Sequence, residues 1–175
     1  GDVYLGDGVR IEANNLIRDS RLGAGTVVHP NCHIESSSSG DDCEIGPFAR
    51  MRPGAELANR VKIGNFVEIK NSVLGPGSKS AHLTYIGDAD VGAGVNFGCG
   101  SVVVNYDGYE KHRSVVGDEV FVGCNVNLVS PVVVEPHAFL AAGSTITKSV
   151  PEDALAVSRS RQRNIEGWVS KKEGR

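Results

Sequence analysis

The sequence predicts an all-β solenoid wound from six-residue repeats, and three observations predict it. An aliphatic residue recurs at every sixth position, most plainly at Val116, Val122, Leu128, Val134, Leu140 and Ile146. A second ladder of small or β-branched residues follows these by four: Val120, Val126, Val132, Ala138, Ser144 and Val150. Glycine is abundant, at 22 of 175 residues, while aromatic residues make up only 6%, so the chain turns often and has few large side chains to pack.

A period of six matches neither the 3.6 of a helix nor the two of a plain strand. It fits a unit of one short strand plus a turn, three of which close a triangular coil of about 18 residues that stacks on the next by parallel pairing. The aliphatic residue then points into a narrow prism, and glycine follows where the backbone turns too closely for a Cβ. A single coil cannot bury its own apolar face, so stacking supplies the core. A β-sandwich, with irregular turn signals every 8–12 residues or roughly so, does not generate two ladders in common register.

The ladder continues through Leu22, Val28 and Ile34, through Ile45, Met51, Leu57, Ile63 and Ile69, and through Val91, Phe97 and Val103. It slips by one between Ile69 and Leu74 and again between Ile86 and Val91. A polar insertion over 104–115 interrupts it as a protruding loop, where functional side chains tend to gather. The repeat stops near Val150, and Pro151 closes it. The expected organisation is a solenoid domain over 1–150 and a basic tail over 151–175 carrying Arg159, Arg161, Arg163, Lys171, Lys172 and Arg175. Trp168 in that tail argues that the tail docks somewhere. The repeats already run at Leu5 without a cap, as expected of a chain that continues upstream.

Eighteen Lys and Arg against 21 Asp and Glu give a net charge of -3, which argues against nucleic acid or an anionic membrane as a partner. No apolar run reaches the length of a membrane span, and the first residues lack the pattern of a signal peptide. Cys32, Cys43, Cys99 and Cys124 form no CxxC pair, so neither a zinc site nor a disulfide framework is expected. Reduced thiols in a cytoplasmic protein fit this spacing.

Chemistry belongs where the repeat admits charged or polar residues. Arg52 and Lys70 lie 18 residues apart, each directly after an inward aliphatic residue, Met51 and Ile69. One coil then separates them, so the two cations stack about 4.8 Å apart. An anion between them would turn repulsion into binding, and a phosphate suits an Arg fork beside a Lys ammonium. The alternative is a pair of solvated cations neutralised by Glu56 or Glu68. His82, in Ser-Ala-His-Leu-Thr-Tyr over 80–85, falls where the register is disturbed, and an imidazole there suits proton removal from an amine or hydroxyl. Cys99 and Cys124 sit in turns, where a thiolate nucleophile is one reading and a small-residue slot the other.

Several longer strings carry a resemblance. They are Ile-Gly-Pro-Phe-Ala-Arg-Met-Arg-Pro-Gly-Ala-Glu-Leu (45–57), Gly-Asn-Phe-Val-Glu-Ile-Lys (64–70), His-Leu-Thr-Tyr-Ile-Gly (82–87), Val-Asn-Tyr-Asp-Gly (104–108) and Glu-Gly-Trp (166–168). From about residue 3 to Trp168 the chain resembles the acetyltransferase half of the bifunctional N-acetylglucosamine-1-phosphate uridylyltransferase/glucosamine-1-phosphate N-acetyltransferases. Parallel crossovers are right-handed as a rule, but the hexapeptide-repeat acyltransferases are left-handed, so the resemblance implies a left-handed parallel β-helix. It further implies a homotrimer with active sites between subunits, which uses acetyl-CoA to N-acetylate glucosamine-1-phosphate for cell-wall precursors.

Carried onto this chain, the resemblance makes His82 the base that deprotonates the sugar amine. Arg52, Lys70, Tyr85 and Asn96 would hold the sugar phosphate. Asn105, Tyr106, Cys99, Cys124 and Ala142 would line the acetyl-CoA arm, Arg159 would meet its phosphates, and Lys111 would reach a neighbouring site. The family usually carries Ser at the position of Cys124 and Ala at that of Cys99. Neither a Gly-rich nucleotide loop nor a metal-binding acidic set is present, so uridylyl transfer is not expected. Two other readings are another CoA-dependent acyltransferase with a different amino-sugar acceptor and a non-catalytic assembly module. A metal-dependent hydratase would need a histidine triad, which the histidine spacing does not offer.

Overall fold

A computed structural model describes residues 1–174 as three parallel sheets of eight, nine and eight strands, the faces of a triangular prism; Arg175 lies outside the described residues. The first face runs from Val3–Leu5 to Val133–Val134, the second from Arg10–Ile11 to Leu155–Ala156, and the third from Leu16–Arg18 to Thr145–Ile146. Each strand pairs with the strand one coil before and one coil after it, so the fold is the expected all-β solenoid. Both predicted ladders line its core: Val116, Val122, Leu128, Val134, Leu140 and Ile146 are buried, and so are Val120, Val126, Val132, Ala138, Ser144 and Val150.

The coil is shorter than three full hexapeptides. Val3 pairs with Ser20, Arg21 with Ser38, Ala55 with Ser72 and Val73 with Asp90, an offset of 17 each time. Only two coils reach 18, with Ser38 paired to Glu56 and Val115 to Val133. The missing residue is lost at the corner between the third and first faces, so the slips after Ile69 and Ile86 are the ordinary coil rather than defects. Asp19, Ser36, Asn71 and Asp88 take that corner in the left-handed region, at φ of 45–52°, which Asn and Asp tolerate better than most residues.

Serine hydroxyls satisfy the same corner. Ser20, Ser37 and Ser72 each donate to the carbonyl two residues back, at 2.7–2.8 Å. Ser20 and Ser72 also accept the N–H of Ser37 and Ala89 in the next coil. In the coils that carry it, such a hydroxyl lets a tight turn be buried without orphaned polar groups.

The loop insertion lengthens a single coil, pairing Asp90 with Val115. Val104 and Ser114 still belong to strands, so the excursion is confined to 105–113. An antiparallel bridge between Tyr106 and Lys111 closes it. Arg113 pins its return, gripping the Asp90 carboxylate and donating to the carbonyls of Asn71 and Ala89. Past Val150 one more strand, Leu155–Ala156, pairs with Phe139 and Leu140. The helix Trp168–Glu173 follows and buries none of its residues. Within the chain Trp168 is 54% exposed, with the Lys172 ammonium over its ring.

Two interior serines test this accounting with one substitution. Ser78 donates to the Gly92 carbonyl and accepts the Val95 N–H, whereas the buried Ser80 hydroxyl has no partner. Ser78→Ala is expected to lower the unfolding free energy by about 1–2 kcal/mol, and Ser80→Ala to raise it by about 1 kcal/mol. Urea titrations of the two variants check the opposite signs.

Candidate active site

Sequence candidates collect at two corners of the prism. At the corner between the second and third faces, His82 ends the strand Lys79–His82. Continuing the strand register places Cys99 beneath it, then Cys124, Ala142 and Ser158 in successive coils. Arg159 follows Ser158, its side chain against Gly143. Four steps of about 4.8 Å make this column roughly 19 Å long. Glycine is needed beside it: a Cβ on Gly98 would stand 2.6 Å from the Cys124 nitrogen, and one on Gly123 2.6 Å from that of Ala142. The same corner carries bulky apolar residues in the left-handed region, Phe48, Phe66 and Leu83. The two phenylalanine rings stack at 5.2 Å, and they form an exposed apolar edge beside His82 that the sequence reading did not single out.

At the corner between the third and first faces, Arg52 stacks over Lys70, its N–H donating to the Ile69 carbonyl at 2.8 Å. The guanidinium also contacts Glu68 at 2.9 Å, so of the two acids considered as neutralisers Glu68 is the one engaged. Lys70 is 3.8 Å from Asp88, with side chains only 20% and 10% exposed. The Lys111 ammonium from the loop comes up against that of Lys70 in the same chain. This close approach and then burial hold Lys70 below the usual lysine value, against the opposing pull of Asp88. Like charges so crowded are a standing attraction for an anion.

Asp88 organises this corner, and the sequence reading missed it. Its two oxygens accept the amides of Asn71 and Asn105 from the coils on either side. Burial pushes its carboxyl up, but those two hydrogen bonds and the Lys70 and Lys111 charges outweigh it and hold the group below the usual range. The signal was present in the spacing, since Asn71, Asp88 and Asn105 are each 17 residues apart. Tyr85 links the corner to the third face: its hydroxyl lies where a Cβ on Gly87 would be, 2.3 Å away, and comes within 3.5 Å of the Asn105 amide.

His82 and the cations therefore occupy neighbouring corners, with the strand Tyr85–Gly87 between them, on the order of 15 Å from Cα to Cα. Twelve residues from Lys70 to His82 correspond to two sides of the triangle, so nearness in sequence is not contact here. Asn105 stands with the cations and not in the thiol column. Tyr106 is spent on the loop, its hydroxyl donating to the Gly108 carbonyl at 2.6 Å. Asn96 lies on the second face between Lys79 and Phe121, apart from both corners.

Because its folded value is lowered, Asp88 contributes stability above the unfolded aspartate value of about 3.9, and that contribution is lost as pH falls through the folded value. Asp88→Asn should cost about 2–3 kcal/mol at pH 7, since one amide oxygen cannot replace two carboxylate oxygens beside Lys70. The gap from the parent should narrow by pH 3, as read by urea unfolding at both pH values.

No family model matches the sequence. Among curated proteins, the bifunctional protein GlmU of Aromatoleum aromaticum is 52% identical over 177 residues, 99% of this chain and 39% of that protein. That of Clostridium acetobutylicum is 52% identical over 172 residues, 98% and 38%. That of Caldicellulosiruptor saccharolyticus is 55% identical over 164 residues, 91% and 34%. The chain thus spans less than two-fifths of the length of these relatives. Among solved structures, UDP-N-acetylglucosamine acyltransferase from Campylobacter jejuni superimposes with a TM-score of 0.62 at 15% identity, over 89% of this chain and 67% of that one. A mutant of perosamine N-acetyltransferase from Caulobacter crescentus, solved with CoA and GDP-perosamine, gives 0.56 at 21%, over 63% and 50%. At such identities these two bear on the fold alone. More than half of the aligned residues are shared with the curated relatives over nearly the whole chain, and on that ground the chain belongs to the family of the bifunctional GlmU proteins.

Proposed function

We propose that this chain transfers the acetyl group of acetyl-CoA to the amine of glucosamine-1-phosphate, giving N-acetylglucosamine-1-phosphate and free CoA. The observation that carries this reading is the pairing of two corners: a column from His82 through Cys99, Cys124 and Ala142 toward Arg159, and a crowd of cations at Arg52, Lys70 and Lys111 one face away. A column of roughly 19 Å, flanked by glycines and ending at an arginine, suits an extended thioester arm with phosphates at its far end. The cations suit the phosphate of the acceptor sugar.

In this reading the sugar lies across the third face over Tyr85, with its phosphate at Arg52 and Lys70 and its amine toward His82. Nε2 of His82 takes a proton from the amine as nitrogen attacks the thioester carbonyl. The C–S bond breaks, and the proton passes from the imidazolium to the departing CoA sulfur. Cys99 and Cys124 serve as small column residues, so no acyl group passes through a thiolate. Asn96 would enter a site from a neighbouring copy in the homotrimer that the family resemblance implies, whereas Lys111, against Lys70 and Asp88 of its own chain, joins the cations of its own site rather than a neighbouring one. The product belongs to the supply of UDP-N-acetylglucosamine for peptidoglycan and lipopolysaccharide in a bacterial cytoplasm. No helix among the described residues is long and apolar enough to cross a membrane.

Thiol release from acetyl-CoA, measured with and without glucosamine-1-phosphate and against a panel of other amino sugars, tests the acceptor. Release independent of the sugar phosphate, or faster with another sugar, would overturn it. His82→Ala should lower kcat by about 10²–10⁴-fold while oligomeric state and both KM values change little; unchanged turnover would falsify the base assignment. Arg52→Ala should raise KM for the sugar phosphate about tenfold or more with kcat nearly kept, because a phosphate anchor binds ground and transition states alike. A KM change confined to acetyl-CoA would remove Arg52 from the acceptor site.

A further inference from the structure

The histidines differ in what they face. His29 meets Glu12 at 3.2 Å, His33 meets Glu35 at 3.7 Å, His112 meets Asp107 at 2.7 Å and His137 meets Glu119 at 3.6 Å. His82 alone faces a neutral group: its Nδ1 is 2.6 Å from the amide oxygen of Asn65. A carboxylate favours a protonated ring. An amide oxygen can only accept, so it selects the ring nitrogen that carries the single proton of neutral imidazole and adds no charge.

The backbone is built for this contact. Asn65 and His82 are Cα partners one coil apart and end the strands Lys62–Asn65 and Lys79–His82. Those two strands are four residues long, and every other strand among the described residues has two or three. The extra length carries the pairing one residue further toward the corner. Gly64 permits it, since a Cβ there would fall 1.9 Å from the Ala81 carbonyl oxygen. Asn65 and His82 border a cavity of about 460 Å³, whose other titratable lining is His29, Glu44 and Lys62. The last two are paired with each other at 2.6 Å, and the Nε2 of His82 has no hydrogen-bond partner among the described residues.

We propose that Asn65 is a positioning residue, whose amide oxygen holds the proton of His82 on Nδ1 and so presents the Nε2 lone pair to the substrate amine. This rests on the reading of His82 as the base. The wrong tautomer would offer an N–H where a proton must be received. The neutral partner leaves the imidazole able to pass its proton on to the leaving thiol, which a carboxylate would oppose.

The test compares Asn65→Leu, Asn65→Asp and His82→Ala in the full chain, with kcat, both KM values and the pH profile of kcat/KM for each. Asn65→Leu should lose about tenfold to a hundredfold in kcat with KM values within about twofold. Asn65→Asp, which still accepts from Nδ1–H, should recover to within about fivefold of the parent, and its negative charge should move the acid limb of the profile to higher pH. If Asn65→Asp is as impaired as Asn65→Leu and its limb does not move, the amide acts through packing and the inference fails; this comparison decides the question even if the leucine variant folds poorly. Full activity in Asn65→Leu beside an inactive His82→Ala defeats the positioning role and leaves the base assignment standing. Full activity in His82→Ala defeats both.

Discussion

Hydrogen bonding between equivalent positions of successive coils sets a repeat of about 4.8 Å along the prism, and each functional arrangement in this protein uses it. A side chain placed at one corner is repeated, in direction and height, by its counterpart a coil away. Arg52 over Lys70, Asn71 and Asn105 on either side of Asp88, and Asn65 beside His82 are all such neighbours. The interior ladder of aliphatic residues makes the stacking favourable, because burial is gained only when one coil covers the next.

That regularity makes the corners the only places with conformational variety, and chemistry is found there. Tight corners demand left-handed residues and buried hydroxyls, which explains the recurrence of Asn, Asp and Ser. At one corner this chemistry gathers charge: Asp88 is held ionised by two amides and keeps the crowded Lys70 and Lys111 together. At the other, Phe48, Phe66 and Leu83 form an apolar edge and His82 meets a neutral amide, with Glu44 and Lys62 nearby paired to each other. In the proposed reading the first corner binds the anion and the second handles the proton, so the face between them separates the two tasks.

Much of this was legible in the spacing of residues. The ladder of six identified the inward positions from Leu22 to Val150 and gave the class of fold, and a separation near one coil length brought Arg52 over Lys70 before any coordinates. The insertion was visible as a break in register over 104–115, which the structure narrows to 105–113. The proposed substrate came from longer strings of residues that resemble a family, not from periodicity.

The order of residues along the chain determined which side chains point inward, because an alternating backbone repeated every coil leaves each position one direction to face. Tertiary structure decided the rest through a single residue of coil length. With 17 residues in most coils, Asn65 falls beside His82 and Asp88 between Asn71 and Asn105, whereas a count of 18 aligns none of them. It also decided that His82 and Lys70 stand at different corners, because position around a triangle depends on the sides traversed and not on the number of residues between. It also leaves Trp168 exposed within the chain, on a short helix that buries none of its described residues.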